Sequence, residues 1–258
     1  MSSPSRTVPA RLRSHRRSLG ATASRVLLQL RHDRRTVALL LIAPVMLNGL
    51  LAWILSGTPH AFDRWGAVLL GIFPLIIMFL ITSIATLRER TGGTLERLMT
   101  TPMSRFDFLG GYAVAFGIAG AVQAIVVSVA TFGVFGLTVA GPVAAVLVVA
   151  VLDALLGTSL GLFVSAFART EFQAVQFFPV LILPQLLLCG LIAPRSTLPA
   201  PLEAISKVLP LTYAVDAMQR LTVDTTITPA VWRDLAVLVL FIVVLVAAGA
   251  TTLQRRTD

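Results

Sequence analysis

Six apolar runs, at residues 36–55, 65–87, 108–136, 142–167, 172–193 and 232–253, constrain this chain more than any other feature. Each is long enough to cross a bilayer, which takes about 20 apolar residues in a helix. Hydrocarbon offers no partners to backbone N–H and C=O groups, so such runs fold as helices that satisfy those groups internally. The expected fold class is an all-α polytopic membrane protein with six transmembrane helices. Only 13% of residues are charged, against about 25% in soluble domains.

The segments between the runs differ in charge. With both termini inside, the inner segments 1–35, 88–107, 168–171 and 254–258 carry 16 of the 21 basic residues, nine of them arginines in 1–35. The excess of basic residues in inner segments orients the chain, with the termini and the 88–107 loop in the cytoplasm of a plasma-membrane protein. Residues 1–17 read as a disordered basic tail. In 18–35, Leu19, Ala23, Val26, Leu27 and Leu30 recur at helical spacing, which reads as an amphipathic helix in the inner interface or as an ordinary basic flank that keeps the first span from slipping. Residues 36–253 form the transmembrane domain and 254–258 a cytoplasmic tail. The Arg16-Arg17 pair has no apolar run close behind it, so it is not an export signal.

Several function classes fall away. The chain has one lysine, Lys207, followed by Val208. A Walker A loop needs Gly-Lys-Ser/Thr to hold phosphates and magnesium. The chain therefore has no expected cofactor of its own, and any ATP and magnesium must sit on a partner. Cys189 is single, and His15, His32 and His60 are scattered, which argues against a metal enzyme. The net charge of +9 gathers before the first run without a nucleic-acid reading module, so lipid is the expected partner and nucleic acid is not.

Two connections are unusual. In 88–107, Gly92-Gly93 breaks the extension of span 2, Thr94 caps a short helix Leu95–Met99, Pro102 stops it, and Ser104 to Asp107 forms a capping box for span 3. This is either a docking surface carrying Glu96 and Arg97 or a solvated charged turn. In 194–231, prolines frame two short helical patterns, 201–209 and 212–223, read as an outer re-entrant hairpin or a passive structured loop. Within the spans, Asp153 lies 11 residues into the fourth run, about 16 Å deep at 1.5 Å per residue. It is a substrate or proton site, or a carboxyl hydrogen-bonded to a neighbouring span. Gly157 and Gly161 form a GxxxG packing signal, intramolecular or dimeric. Pro44, Pro74, Pro179 and Pro184 permit kinks, and Phe177, Phe178 and Gln185 in span 5 could line a path or simply pack.

Two stretches carry a resemblance. Arg88-Glu89-Arg90-Thr91-Gly92-Gly93-Thr94-Leu95-Glu96-Arg97-Leu98, with Thr101-Pro102-Met103-Ser104-Arg105, is similar to the ERExGTLExLxxTPxSR segment of ABC-2 type exporter permeases, and here has one extra glycine. Pro210-Leu211-Thr212-Tyr213 followed by Gln219-Arg220 resembles their carboxyl-terminal signature. The subfamily resembled is the daunorubicin/doxorubicin-resistance permease type common in actinobacteria, over residues 18–253. The resemblance implies a connecting helix, a coupling helix between spans 2 and 3, and outer helices between spans 5 and 6. It also implies a second permease, the same chain or a sister, and two copies of a separate ATP-binding subunit. Glu89, Thr94, Leu95, Glu96, Arg97 and Met99 would couple to that ATPase. Phe73, Phe79, Asp153, Phe177, Phe178 and Gln185 would bear on the substrate path, and Pro210, Tyr213 and Arg220 on an outer gate. The function expected is export of drugs or lipid-like amphiphiles. The alternatives are glycan export, an ion-coupled secondary transporter using Asp153, and a non-transporting scaffold.

Overall fold

The computed structural model describes residues 10–58, 60–92 and 105–252, with side chains from residue 19 onward in the first stretch and from residue 109 onward in the last. Among the described residues ten α-helices follow in order: α1 (Ala10–His32), α2 (Arg34–Ile54), α3 (Ala61–Thr91), α4 (Arg105–Gly133), α5 (Val143–Ser165), α6 (Glu171–Leu181), α7 (Leu183–Leu188), α8 (Ala200–Ser206), α9 (Pro210–Val223) and α10 (Pro229–Thr252). The described residues contain no strand. Six helical stretches among the described residues are long and apolar enough to cross a membrane. They are α2, α3, α4 from Leu109, α5, the pair α6–α7 and α10, in the places where the apolar runs predict spans.

Helix α1 begins at Ala10, inside the segment expected to be a disordered tail, and ends at His32. Asp33 then separates it from α2, its carboxylate accepting from the Arg35 and Thr36 amides at 3.2 Å. These amides belong to the unsatisfied first turn of α2, so the cap starts the first span. From Leu19 onward α1 is seated on α4. A Cβ on Gly111 would fall 2.6 Å from Cβ of Thr22, and one on Gly110 would fall 3.2 Å from Leu19 Cδ1. Hydrogen at Gly111 is what lets the two helices approach this closely, while at Gly110 the tip of Leu19 would have to give by a few tenths of an ångström.

The centre of the bundle is the parallel pair α3 and α5. Asp153, Gly157 and Gly161 follow each other at four-residue intervals on α5 and face Gly71, Leu75 and Phe79 of α3. A Cβ on Gly161 would come within 2.7 Å of the Phe79 carbonyl oxygen, and one on Gly157 would collide with that of Leu75. The GxxxG is thus an intramolecular packing device, in which small residues bring two backbones together. The first and last apolar helices and span 5 are far less covered than α3 and α5.

Of the four span prolines, Pro44 and Pro74 sit inside continuous helices. Span 5 is interrupted at Ile182, between α6 and α7, with Pro184 in the first turn of α7. Helix α9 does not lie on the surface. Leu211, Ala214, Ala217, Met218 and Leu221 are buried, and the Met218 methyl would lie 3.3 Å from a Cβ on Gly71. The connection between α4 and α5 closes over its far end, where Ala140 and Gly141 amides donate to the Thr222 and Leu221 carbonyls at 3.2 and 3.0 Å. Gly249 near the end of α10 lies against Leu109 at the start of α4. Both ends of the described chain therefore share one end of the bundle, the α1 end; α9 occupies the other.

Candidate functional site at the end of span 2

The expected span 2 ends at residue 87, but α3 continues to Thr91. The added turn is held because each of its three consecutive charged residues has a partner on a different helix. Arg88 donates from Nε and Nη2 to the two carboxylate oxygens of Glu171, at 2.6 and 2.9 Å. Glu171 sits in the first turn of α6, where a negative charge also suits the helix dipole. Glu89 faces α1: its carboxylate lies 3.5 Å from Arg25 Nη1 and accepts from Gln29 Nε2 at 3.4 Å. Arg25 in turn donates from Nη2 to the Tyr112 hydroxyl of α4 at 3.0 Å. Arg90 donates to the carbonyls of Ser165 and Ala166, which end α5. A guanidinium there satisfies carbonyls that the helix leaves open and complements its negative end.

Successive residues of a helix point about 100° apart, so three in a row can reach three neighbours. The end of α3 is therefore tied to α1, α4, α5 and α6 at once. Arg88 and Glu171 are more than half exposed at their side chains or close to it. Such a pair contributes at most about 1 kcal/mol to stability, so its value lies in fixing relative position. The next residues, 93–104, include the coupling positions Thr94, Leu95, Glu96, Arg97 and Met99, and these lie outside the described residues.

At the α9 end a second charged group joins the terminal helices. Arg195 pairs with Asp216 of α9. Asp234 of α10 is fully buried and accepts from Arg233 Nε and Nη2 at 3.1 and 2.8 Å, with Arg220 Nε 3.8 Å away. Burial raises the Asp216 carboxyl above its ordinary value; the Arg195 charge opposes this and the Asp234 charge adds to it. Pro210 opens α9, and the Tyr213 hydroxyl donates to the Lys207 carbonyl at 2.7 Å, tying α9 back to the turn before it. Gln185 of α7 donates to Leu181 and accepts from the Leu211 amide at 3.3 Å, bridging broken span 5 to the start of α9.

The residues expected along a path are spread between spans 2, 4 and 5. Phe79 is fully buried, with its ring centroid 6.3 Å from that of Phe178. Phe73 and Phe177 are half-buried. Asp153 is buried beside Gly71 and Met218, and its Oδ1 has no hydrogen-bond partner among the described residues. Arg25, Gln29, Tyr112 and Glu171 are structural partners that sequence reasoning missed. Their pairings span 60 to 87 positions, and no local pattern records them.

Among the described residues, a helical bundle with six stretches long and apolar enough to cross a membrane, braced by charge at one end and capped by short helices at the other, defines a multi-pass membrane protein. The chain belongs to the ABC-2 type transporter family, which it matches over residues 17–222. It is 26% identical over 179 residues to the probable multidrug ABC transporter permease YbhR of Escherichia coli, covering 69% of this chain and 49% of that one. It is also 26% identical over 168 residues to the linearmycin resistance permease protein LnrN of Bacillus subtilis, covering 65% and 43%. Against ABC transporter G family member 20 of Dictyostelium discoideum the identity is 30% over 140 residues, covering 54% and 19%. The chain spans about half the length of the first two of these relatives.

Proposed function

We propose that the chain is the membrane-spanning permease of an ATP-driven exporter, powered by two copies of a separate ATP-binding subunit and paired with a second permease. The α1 end faces the cytoplasm in this reading, as the bias of basic residues favours. The observation that carries it is the set of three consecutive residues, Arg88, Glu89 and Arg90, that hold α6, α1 and the end of α5. The coupling segment around Thr94 to Met99 follows directly. A push on that segment reaches span 2, and through these contacts reaches spans 3, 4 and 5 together. Motion between packed helices takes discrete arrangements, so a rigid strut of this kind converts a local displacement into rocking of the bundle.

The cargo class proposed is drugs or lipid-like amphiphiles. Its support is the names of the relatives, a multidrug permease and a linearmycin resistance permease. Spans 2 and 5 would border the path, with Phe79 and Phe178 in contact between them, and α9 with Pro210, Tyr213 and Arg220 would form the outer gate. Co-purification with the ATP-binding subunit tests the coupling assignment. A Glu96→Arg, Arg97→Glu double variant is expected to lose most of the bound subunit while remaining in the membrane. Undiminished co-purification would remove the 94–99 segment from the docking surface.

A further inference from the structure

A groove of about 620 Å³ runs along the protein at the α1 end, between α1, α2, α3 and α4. Its walls are Leu39 of α2 and Ile77, Leu80, Ile81 and Ile84 of α3. Its polar end is formed by Gln29, Asp33, Thr36, Arg88 and Glu89. The groove thus passes from hydrocarbon-like walls to a polar mouth in the direction of α1. From Ile77 to Arg88 it follows α3 for 11 residues, about 16 Å at 1.5 Å per residue. Half of a hydrocarbon core about 30 Å thick has nearly the same depth. Its volume is that of a ligand site, which typically measures about 300–1,000 Å³.

The charges at the mouth decide what kind of head group suits it. Glu89 is committed to Arg25, and Arg88 to Glu171. Asp33 is bound to the first turn of α2 by the Arg35 and Thr36 amides and by the Thr36 hydroxyl at 2.6 Å. The corner between α1 and α2 that closes this end also exposes Arg31, His32, Arg34 and Arg35. Asp33 keeps its negative charge, since its partners are neutral, but Arg31, Arg34 and Arg35 beside the groove outnumber it, so the net free charge at this corner is positive.

We propose that the groove is a binding site for an acidic phospholipid of the leaflet on the α1 side. One acyl chain lies along Ile77 to Ile84, and the phosphate lies at the α1–α2 corner. Under the orientation proposed above this is the inner leaflet. The lipid would touch α1, α2 and α3 next to the Glu89–Arg25 contact, so the membrane's composition would act on the same joint that couples span 2 to α1.

The three tryptophans, Trp53, Trp65 and Trp232, all lie towards the α9 end. With those three replaced by phenylalanine, a Leu80→Trp variant of the full chain in neutral-detergent micelles carries a single reporter, in the groove. Phosphatidylglycerol brominated on its acyl chains is expected to quench that reporter at about 25-fold lower concentration than brominated phosphatidylcholine, since each of two basic residues near an acidic head group favours it by roughly fivefold. Arg34→Gln with Arg35→Gln should remove most of that preference. Native mass spectrometry of the chain without the reporter should show a retained phosphatidylglycerol, and an Ala85→Phe variant, which narrows the groove, should lose it. Equal quenching by the two lipids overturns the proposal, as does retention that Ala85→Phe leaves unchanged. Stronger quenching by a brominated cationic amphiphile also overturns it. The readout needs neither the ATPase nor a particular orientation, so it stands or fails separately from the exporter reading.

Discussion

Gly157 and Asp33 show how single residues set this structure. Gly157 has the α3 backbone pressed against it, so a methyl group there must separate the two central helices. Gly157→Ala is expected to lower stability in detergent by about 1–3 kcal/mol, the usual cost of overpacking. Gly20 of α1 has nothing within 4 Å of an added Cβ, and Gly20→Ala should stabilise by about 0.5–1 kcal/mol, because alanine loses less entropy in a helix. Thermal unfolding of the two variants should move in opposite directions. Asp33 is held below the ordinary carboxylate range, chiefly by the Thr36 hydroxyl and then by its amide. A depressed folded value means that the contribution of the cap is present above the ordinary range and fades as pH falls through it. At neutral pH, Asp33→Ala should cost about 0.5–1 kcal/mol and Asp33→Asn much less. Below that range the difference between Asp33 and its alanine variant should shrink, as melting of both across a pH series would show.

At the scale of elements, the spans were legible because a bilayer imposes length and apolarity that nothing else in a sequence imitates. The apolar stripe of Leu19, Ala23, Val26, Leu27 and Leu30 likewise announced α1, though its start at Ala10 lay in a stretch too polar and arginine-rich to read as helix. The prolines of 194–231 announced α8 and α9, but not that α9 would sink far enough for Met218 to reach Gly71. That depth depends on matching small residues in other helices, which no local window contains. The charges at the end of span 2 were legible as unusual, while their partners were not. Arg90 bonds to backbone carbonyls of α5, and a carbonyl has no sequence signature. Glu171 reads as an ordinary first-turn acid until Arg88 is seen against it.

At the scale of the whole molecule, the two ends of the bundle are built differently. The α1 end is a joint of four helices around the end of span 2, and the α9 end is a lid fastened by the Arg195–Asp216 pair and the buried Asp234. Their placement across the membrane can be read chemically, because the single native cysteine, Cys189, is fully buried and leaves a silent background. Ser24 and Thr226 are exposed at opposite ends. In intact cells a membrane-impermeant maleimide should label Thr226→Cys and spare Ser24→Cys until the cells are opened; the reverse pattern would invert the topology.

In the proposed exporter, ATP-driven motion enters at the end of span 2 and passes through its contacts to the rest of the bundle. ATP turnover by the assembled complex in proteoliposomes tests it most directly, using Arg25→Glu, Glu89→Arg and the two changes together. Each single reversal is expected to keep the ATP-binding subunit attached but to lower permease-dependent turnover by about 5- to 150-fold, the range of typical coupling energies. The paired reversal, which restores opposite charges across the contact, should recover most of the loss. Single variants that turn over ATP like the unaltered complex would contradict it.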